Sequence, residues 1–163
     1  MSIDKIIKFK KICDILEIET KGTYDFERRL MIQKMFYFLQ KLGLDLGIKY
    51  NFHTYGPYSA DISDIYATLN QNHKSVDCLP DIEFSNEEIE IIKKLKEILL
   101  NWGKDLKELE FYSSVLYIYQ DMYIKNQNRK RLIQAVRKFK PNLFNKFNIE
   151  KILDDLKKQG LLK

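Results

Sequence analysis

Between Arg29 and Leu42, apolar residues occupy most directions of a helical wheel: Leu30, Met31, Ile32, Met35, Phe36, Phe38, Leu39 and Leu42. A 3.6-residue repeat gathers Gln33, Lys34, Tyr37, Gln40 and Lys41 into one narrow seam, so the pattern predicts a central helix buried on most of its circumference. Asp25 is placed to cap its start, and Gly43 to supply a left-handed stop. Residues Lys49 to Tyr55 then alternate. Tyr50, Phe52 and Thr54 point one way, and Lys49, Asn51, His53 and Tyr55 the other, as in a strand with one mainly apolar face. This strand runs into Tyr55-Gly56-Pro57-Tyr58-Ser59, a strong turn signal. Its expected partner is Ser75 to Phe84, where Val76, Cys78, Ile82 and Phe84 alternate around Pro80 in the manner of an edge strand.

Elsewhere the period is helical. Ile6, Ile7, Phe9, Ile12, Cys13 and Leu16 mark a first amphipathic helix over Asp4 to Leu16, followed by a linker from Glu19 to Tyr24 that contains Gly22. Ser59 is an expected N-cap, with Asp61 favourable at the start of a helix that buries Ile62, Ile65, Tyr66 and Leu69 and ends near Asn70 to Asn72. Ser85 and Glu88 form a capping box, and the helix they open runs to Asn101 and closes at Trp102-Gly103. Asp105 with Glu108 repeats the pattern before a core face of Leu106, Leu109, Ser113, Leu116 and Tyr117. On that helix small Ser113 and Ser114 permit close approach of a neighbour, and Tyr112, Tyr117, Tyr119 and Tyr123 make it unusually aromatic. A basic helix from Arg129 to Phe139 is ended by Pro141, and a last helix starts at Asn148, buries Ile149, Ile152, Leu153 and Leu156, and stops at Gly160. The expected fold is mainly α: one domain spanning residues 1–163, a compact helical bundle of about seven helices with a minor β-ribbon.

The segments Gln33-Lys34-Met35-Phe36-Tyr37-Phe38-Leu39-Gln40, Tyr50-Asn51-Phe52 and Tyr55-Gly56-Pro57-Tyr58-Ser59 together resemble the YwgA-type family of bacteria and archaea. Ser113-Ser114-Val115-Leu116-Tyr117 within Leu109 to Tyr119, and Lys140-Pro141 through Gly160-Leu161-Leu162, fit the same pattern. The central helix and the Tyr-Gly-Pro turn are more distantly similar to the Panacea (SocA-like) antitoxin domains. This chain lacks the Trp-containing sequence that often follows the central helix there. The nearer family implies no activity. The Panacea-like resemblance implies an antitoxin or adaptor that neutralises a partner protein, a toxin for instance, by binding it.

Composition sharpens the picture in two places. The 45% hydrophobic content excludes wholesale disorder, and 10 Tyr with 10 Phe can fill an interior without cofactors or disulfide staples. The opening Met1-Ser2-Ile3-Asp4-Lys5 lacks the apolar core of a signal peptide, and no run approaches the ~20 apolar residues of a membrane helix, so a cytoplasmic protein with no membrane partner is expected. Cys13 and Cys78 are too few for a zinc site or a disulfide framework and are expected as buried thiols. The net charge of +5 is unevenly spread. Residues 125–163 carry 12 basic side chains against 3 acidic, whereas residues 61–101 carry 4 against 9. A basic C-terminal end favours acidic protein surfaces or nucleic acid as partners.

The candidate chemistry is sparse. Only His53 and His73 could serve as histidine bases or ligands, and neither has a helical metal-binding neighbour. Asp61 and Asp64 share a helix face beside the turn, where capping and solvation account for them. No glycine-rich phosphate loop occurs. We therefore expect no catalytic residues, metal or cofactor, and a non-enzymatic interaction module. The expected partner-binding residues are Tyr55, Gly56, Pro57, Tyr58 and Ser59: a turn set by Gly56 and Pro57 whose flanking tyrosines suit recognition. The alternative is a nucleic-acid-binding regulator that uses Arg129, Lys130, Arg131, Arg137, Lys138 and Lys140 to neutralise phosphates. Lys146 lies beyond that set. Ile149 to Leu162 also resembles the third helix of a winged-helix domain leading into its wing, with Arg28 to Leu42 as a second core helix. Because the sequence stops at Lys163, such a core would be degenerate.

Overall fold

The computed structural model describes residues 3–20, 25–72, 78–102, 105–122 and 128–162. Gly22, Tyr24, His73, Ser75, Val76, Gly103 and Tyr123 lie outside the described residues. Eight helices and one hairpin are described: α1 (Ile3–Ile15), α2 (Phe26–Leu42), β1 (Asn51–His53), β2 (Gly56–Tyr58), α3 (Ala60–Gln71), α4 (Asn86–Trp102), α5 (Leu106–Gln120), α6 (Arg129–Phe139), α7 (Pro141–Lys146) and α8 (Ile149–Lys158). The architecture is thus mainly α with a minor ribbon. The additional helix is α7, which Pro141 opens as well as ending α6: proline at the first helical position needs no N–H and already has the required φ.

The predicted caps act locally. Asp25 accepts from the Arg28 N–H, and Gly43 takes φ 115° after α2. Ser85 and Glu88 exchange both bonds of a capping box, at 3.2 and 2.8 Å. Asp105 accepts from the Lys107 N–H, but Glu108 pairs with Lys151 across the fold and does not close a second box. Ser59 stands at the N-cap of α3, yet its hydroxyl makes no bond.

α2 packs against α4, α5 and β2, and α5 packs in turn against β2, α6, α7 and α8, so these two helices form the axis of the molecule. One continuous apolar cluster joins them to α1 through stacked Phe9 and Phe36, 4.5 Å apart, and to α4 through Trp102, stacked on Tyr112 at 4.2 Å. Among the described residues no helix is long and apolar enough to cross a membrane. Cys13 is buried, but Cys78 is exposed, contrary to expectation.

The polar seam of α2 is a row of buried or half-buried hands that grip chain segments on either side. Gln40 donates to the Ile48 carbonyl at 2.8 Å and accepts from the Ile48 N–H at 3.0 Å. Two turns earlier Gln33 does the same to Ser59, donating and accepting at 2.9 Å. Tyr37 and Lys41 both donate to Asp121, at 2.9 and 2.7 Å. Each bond satisfies a polar group that water cannot reach freely, so the seam fixes the loops that α2 crosses.

The ribbon departs from expectation in its pairing. β1 pairs antiparallel with β2, Asn51 opposite Tyr58 and His53 opposite Gly56, so the strand folds back on its own turn. Of the expected partner, residues 78–84 contain no strand, and residues 75–77 lie outside the described residues. Thr54 and Tyr55 make the bend. The positive φ that closes it falls on Gly56, at 83°, a conformation glycine adopts without steric cost.

Candidate functional site

Three helices converge on the hairpin. Lys34 of α2 donates to the Pro57 carbonyl at 2.7 Å. Lys140, at the C-cap of α6, donates to the Thr54 carbonyl at 2.5 Å and to the Glu110 carboxylate of α5 at 2.7 Å. Gln33 holds Ser59. Three carbonyls along the turn, those of Thr54, Pro57 and Ser59, are therefore claimed by side chains from two distant regions of the sequence. From below, α5 approaches so closely that a Cβ on Gly56 would lie 2.5 Å from Ser114 Oγ. The small residues Ser113 and Ser114 do permit close approach, and the neighbour they admit is the hairpin. Ser113 spends its hydroxyl on the Glu110 carbonyl, while Ser114 Oγ is buried without a partner.

The charges beneath the turn are buried. The Glu110 and Lys140 side chains are 9% and 7% exposed, and Lys34 is 1% exposed. Burial away from solvent pulls Lys34 down to about 7; the Glu110 carboxylate opposes that shift and Lys140 adds to it. Glu110 pairs directly with Lys140, while Lys34, which donates to the Pro57 carbonyl, feels both charges through space, so the charges removed from water find part of their compensation inside.

Above this base lies a cavity of about 360 Å³ between the start of α2, the hairpin and α3. Phe26 and Tyr55 stand on its rim in edge-to-face contact, ring centroids 5.0 Å apart, each about half exposed at 50% and 49%. Tyr58 and Tyr66 share a wall and are tied together through Ser63, whose hydroxyl donates to Tyr58 at 2.7 Å and lies 2.8 Å from the Tyr66 hydroxyl. His53 packs on Tyr58, centroids 4.9 Å apart, and Arg29 completes the opening.

Of the five residues singled out in the turn, only Tyr55 is exposed and Tyr58 half-buried; Gly56, Pro57 and Ser59 are buried and serve to position the other two. Phe26 and Arg29 were not marked by the sequence as site residues. Phe26 precedes the apolar run of the central helix and directly follows the N-cap, and a large apolar side chain there is the available signal. Asp61 does not line the cavity that His53 lines; it pairs with Lys5 at 3.0 Å, and Asp64 is exposed. Among the described residues no group of three or more His, Cys, Asp or Glu could hold a metal ion.

The basic set is divided. Lys140 is buried under the turn and cannot reach a phosphate, a correction to its place among the nucleic-acid candidates. Arg129 is paired with Glu150 and Asp154. Lys130, Arg131, Arg137 and Lys138 are exposed on α6, with Arg137 over the Phe144 ring. No protein-family model matches the chain, and no curated protein is significantly similar to it.

Proposed function

We propose that the protein is a non-enzymatic interaction module of the YwgA and Panacea kind, an antitoxin or adaptor that works in the cytoplasm and neutralises a protein partner by holding it at the hairpin. One observation carries this reading. Two adjacent aromatic side chains, Phe26 and Tyr55, are half exposed on a backbone that buried Gln33, Lys34 and Lys140 keep in place. Aromatic anchors with two side-chain torsions, already ordered before contact, lose little entropy on binding, and such residues dominate interface energetics. The shared Tyr-Gly-Pro turn supports the same surface.

The test is a tagged pull-down from the host with nuclease treatment, wild type against the double variant Phe26→Ala/Tyr55→Ala. The variant is expected to lose a stoichiometric protein while its melting curve stays within a few degrees, because both rings are half solvated. Retention of the partner by a folded variant refutes the reading. A second reading, nucleic-acid binding, is favoured by Lys130, Arg131, Arg137 and Lys138, all exposed on a helix without an acidic residue. If it holds, reversing these four charges abolishes binding and flattens its salt dependence.

A further inference from the structure

The cavity beside the anchors has a one-sided chemistry. Among the described residues its ionisable lining consists of Arg29, Lys34 and His53 together with tyrosines, and no carboxylate contributes to it. The inner cation is committed, since Lys34 donates to Pro57, and the Gln33 amide is spent on Ser59 and Ser63. At the opening the balance is different. Among the described residues the Arg29 guanidinium makes no hydrogen bond or ion pair, and the exposed His53 ring makes only its ring contact with Tyr58. Five uncommitted donors in a planar fork therefore border a space whose apolar and aromatic lining includes Phe26, Leu30, Tyr55, Tyr58 and Tyr66. A volume of about 360 Å³ is within the ordinary range for a small-molecule site, in which an apolar enclosure supplies most of the contact and a few polar groups fix orientation.

We infer that this cavity binds a small organic anion, a flat apolar or aromatic body bearing one anionic head group, the body lying in the cavity against the rim aromatics and the head paired with Arg29. The inference goes beyond the partner-binding reading and does not depend on it. An anion is selected because the lining offers uncompensated positive charge and no acceptor carboxylate; a cationic ligand of the same shape meets repulsion from Arg29. A neutral ligand keeps the stacking and loses the charge-assisted bonds.

The experiment uses the full chain, labelled with ¹⁵N, titrated with phenylacetate, phenyl phosphate, phenylacetamide and benzylamine, with the backbone amides of Thr54, Tyr55 and Gly56 as reporters. Molecules of this size reach low-millimolar affinity in a well-formed site. Phenylacetate or phenyl phosphate is expected to saturate the hairpin shifts in that range, and the tighter of the two assigns the head group as carboxylate or phosphate. Phenylacetamide is expected about tenfold weaker or worse, and benzylamine without effect at the hairpin. In Arg29→Gln, an exposed change that leaves the fold intact, the acid and the amide should bind alike. Equal affinity of acid and amide for the wild type, or saturable shifts confined to the basic face of α6, overturns the assignment. So does the absence of hairpin shifts with both acids at 20-fold above the expected range, roughly tens of millimolar.

Discussion

Replacing Lys34 with Met tests whether the base of the site is a buried amine that gives up its proton. In the folded chain burial brings Lys34 down from 10.5 to about 7. Below pH 7 folded and unfolded states are both protonated, and the folded state bears the full cost of an enclosed ammonium. As pH rises from 7 towards 10.5, the unfolded chain keeps a proton that the folded chain has released, so stability increases and reaches its full value above the unfolded pKa. With about 1.4 kcal/mol per pH unit, the gain between pH 7 and pH 9 is about 2 kcal/mol. Lys34→Met removes that rise. It also leaves the Pro57 carbonyl without its donor, which costs about 1–3 kcal/mol at every pH. The expected outcome is a variant whose deficit against wild type widens by about 2 kcal/mol from pH 7 to pH 9. Urea unfolding followed by fluorescence measures it, because Trp102 is the single tryptophan, is buried, and is stacked on Tyr112. Comparing the two proteins also cancels Cys13, whose thiol burial pushes up and which opposes the rise in both. A deficit that is the same at pH 7 and pH 9 refutes the titration of Lys34.

Lys140→Met is expected to cost about 3–5 kcal/mol, because it strips Glu110 of its direct partner in a site closed to water, whereas Lys138→Met, on the exposed side of α6, should stay within about 0.5 kcal/mol. Equal melting temperatures for the two would show that the Lys140 pair is not buried in solution. Gly56→Ala is expected to lose about 1–3 kcal/mol from the positive φ alone, with a further loss from the collision with Ser114 Oγ. Adding Ser114→Ala should recover part of that loss, since the Ser114 hydroxyl has no partner to forfeit; a double variant no better than Gly56→Ala in the same melt would place the strain elsewhere.

The elements that local rules govern were legible in the sequence. Asp25, Gly43, Ser85 with Glu88, and Asn148 mark helix ends through bonds that span only a few residues, and the structure contains those bonds or stops. The hairpin partner was not legible because Gly56-Pro57-Tyr58 has too little length to show alternation, while Ser75 to Phe84 shows it although its described residues 78–84 form no strand. The direction of the α2 seam was hidden for another reason. Gln33, Lys34 and Gln40 look like solvent-facing residues on a wheel, but their acceptors are backbone carbonyls, and any sequence has those. Glu110 and Lys140 are 30 residues apart, and nothing local distinguishes an acid facing a lysine from one facing water. Tyr55 was visible as a candidate because a turn exposes its tip, whereas Phe26 becomes part of the rim only after the hairpin folds back beside α2.

The Thr54 carbonyl waits for a lysine 86 residues further along the chain. At the usual pace of synthesis, about 5–20 residues per second, roughly 4 to 17 seconds separate the making of the turn from the making of its clasp. During that interval the hairpin exists as sequence without its final clasp, and a fragment that ends before α6 never acquires it. A nascent or truncated chain therefore lacks the finished surface of the turn, and the last third of the protein acts as a completeness check on the first.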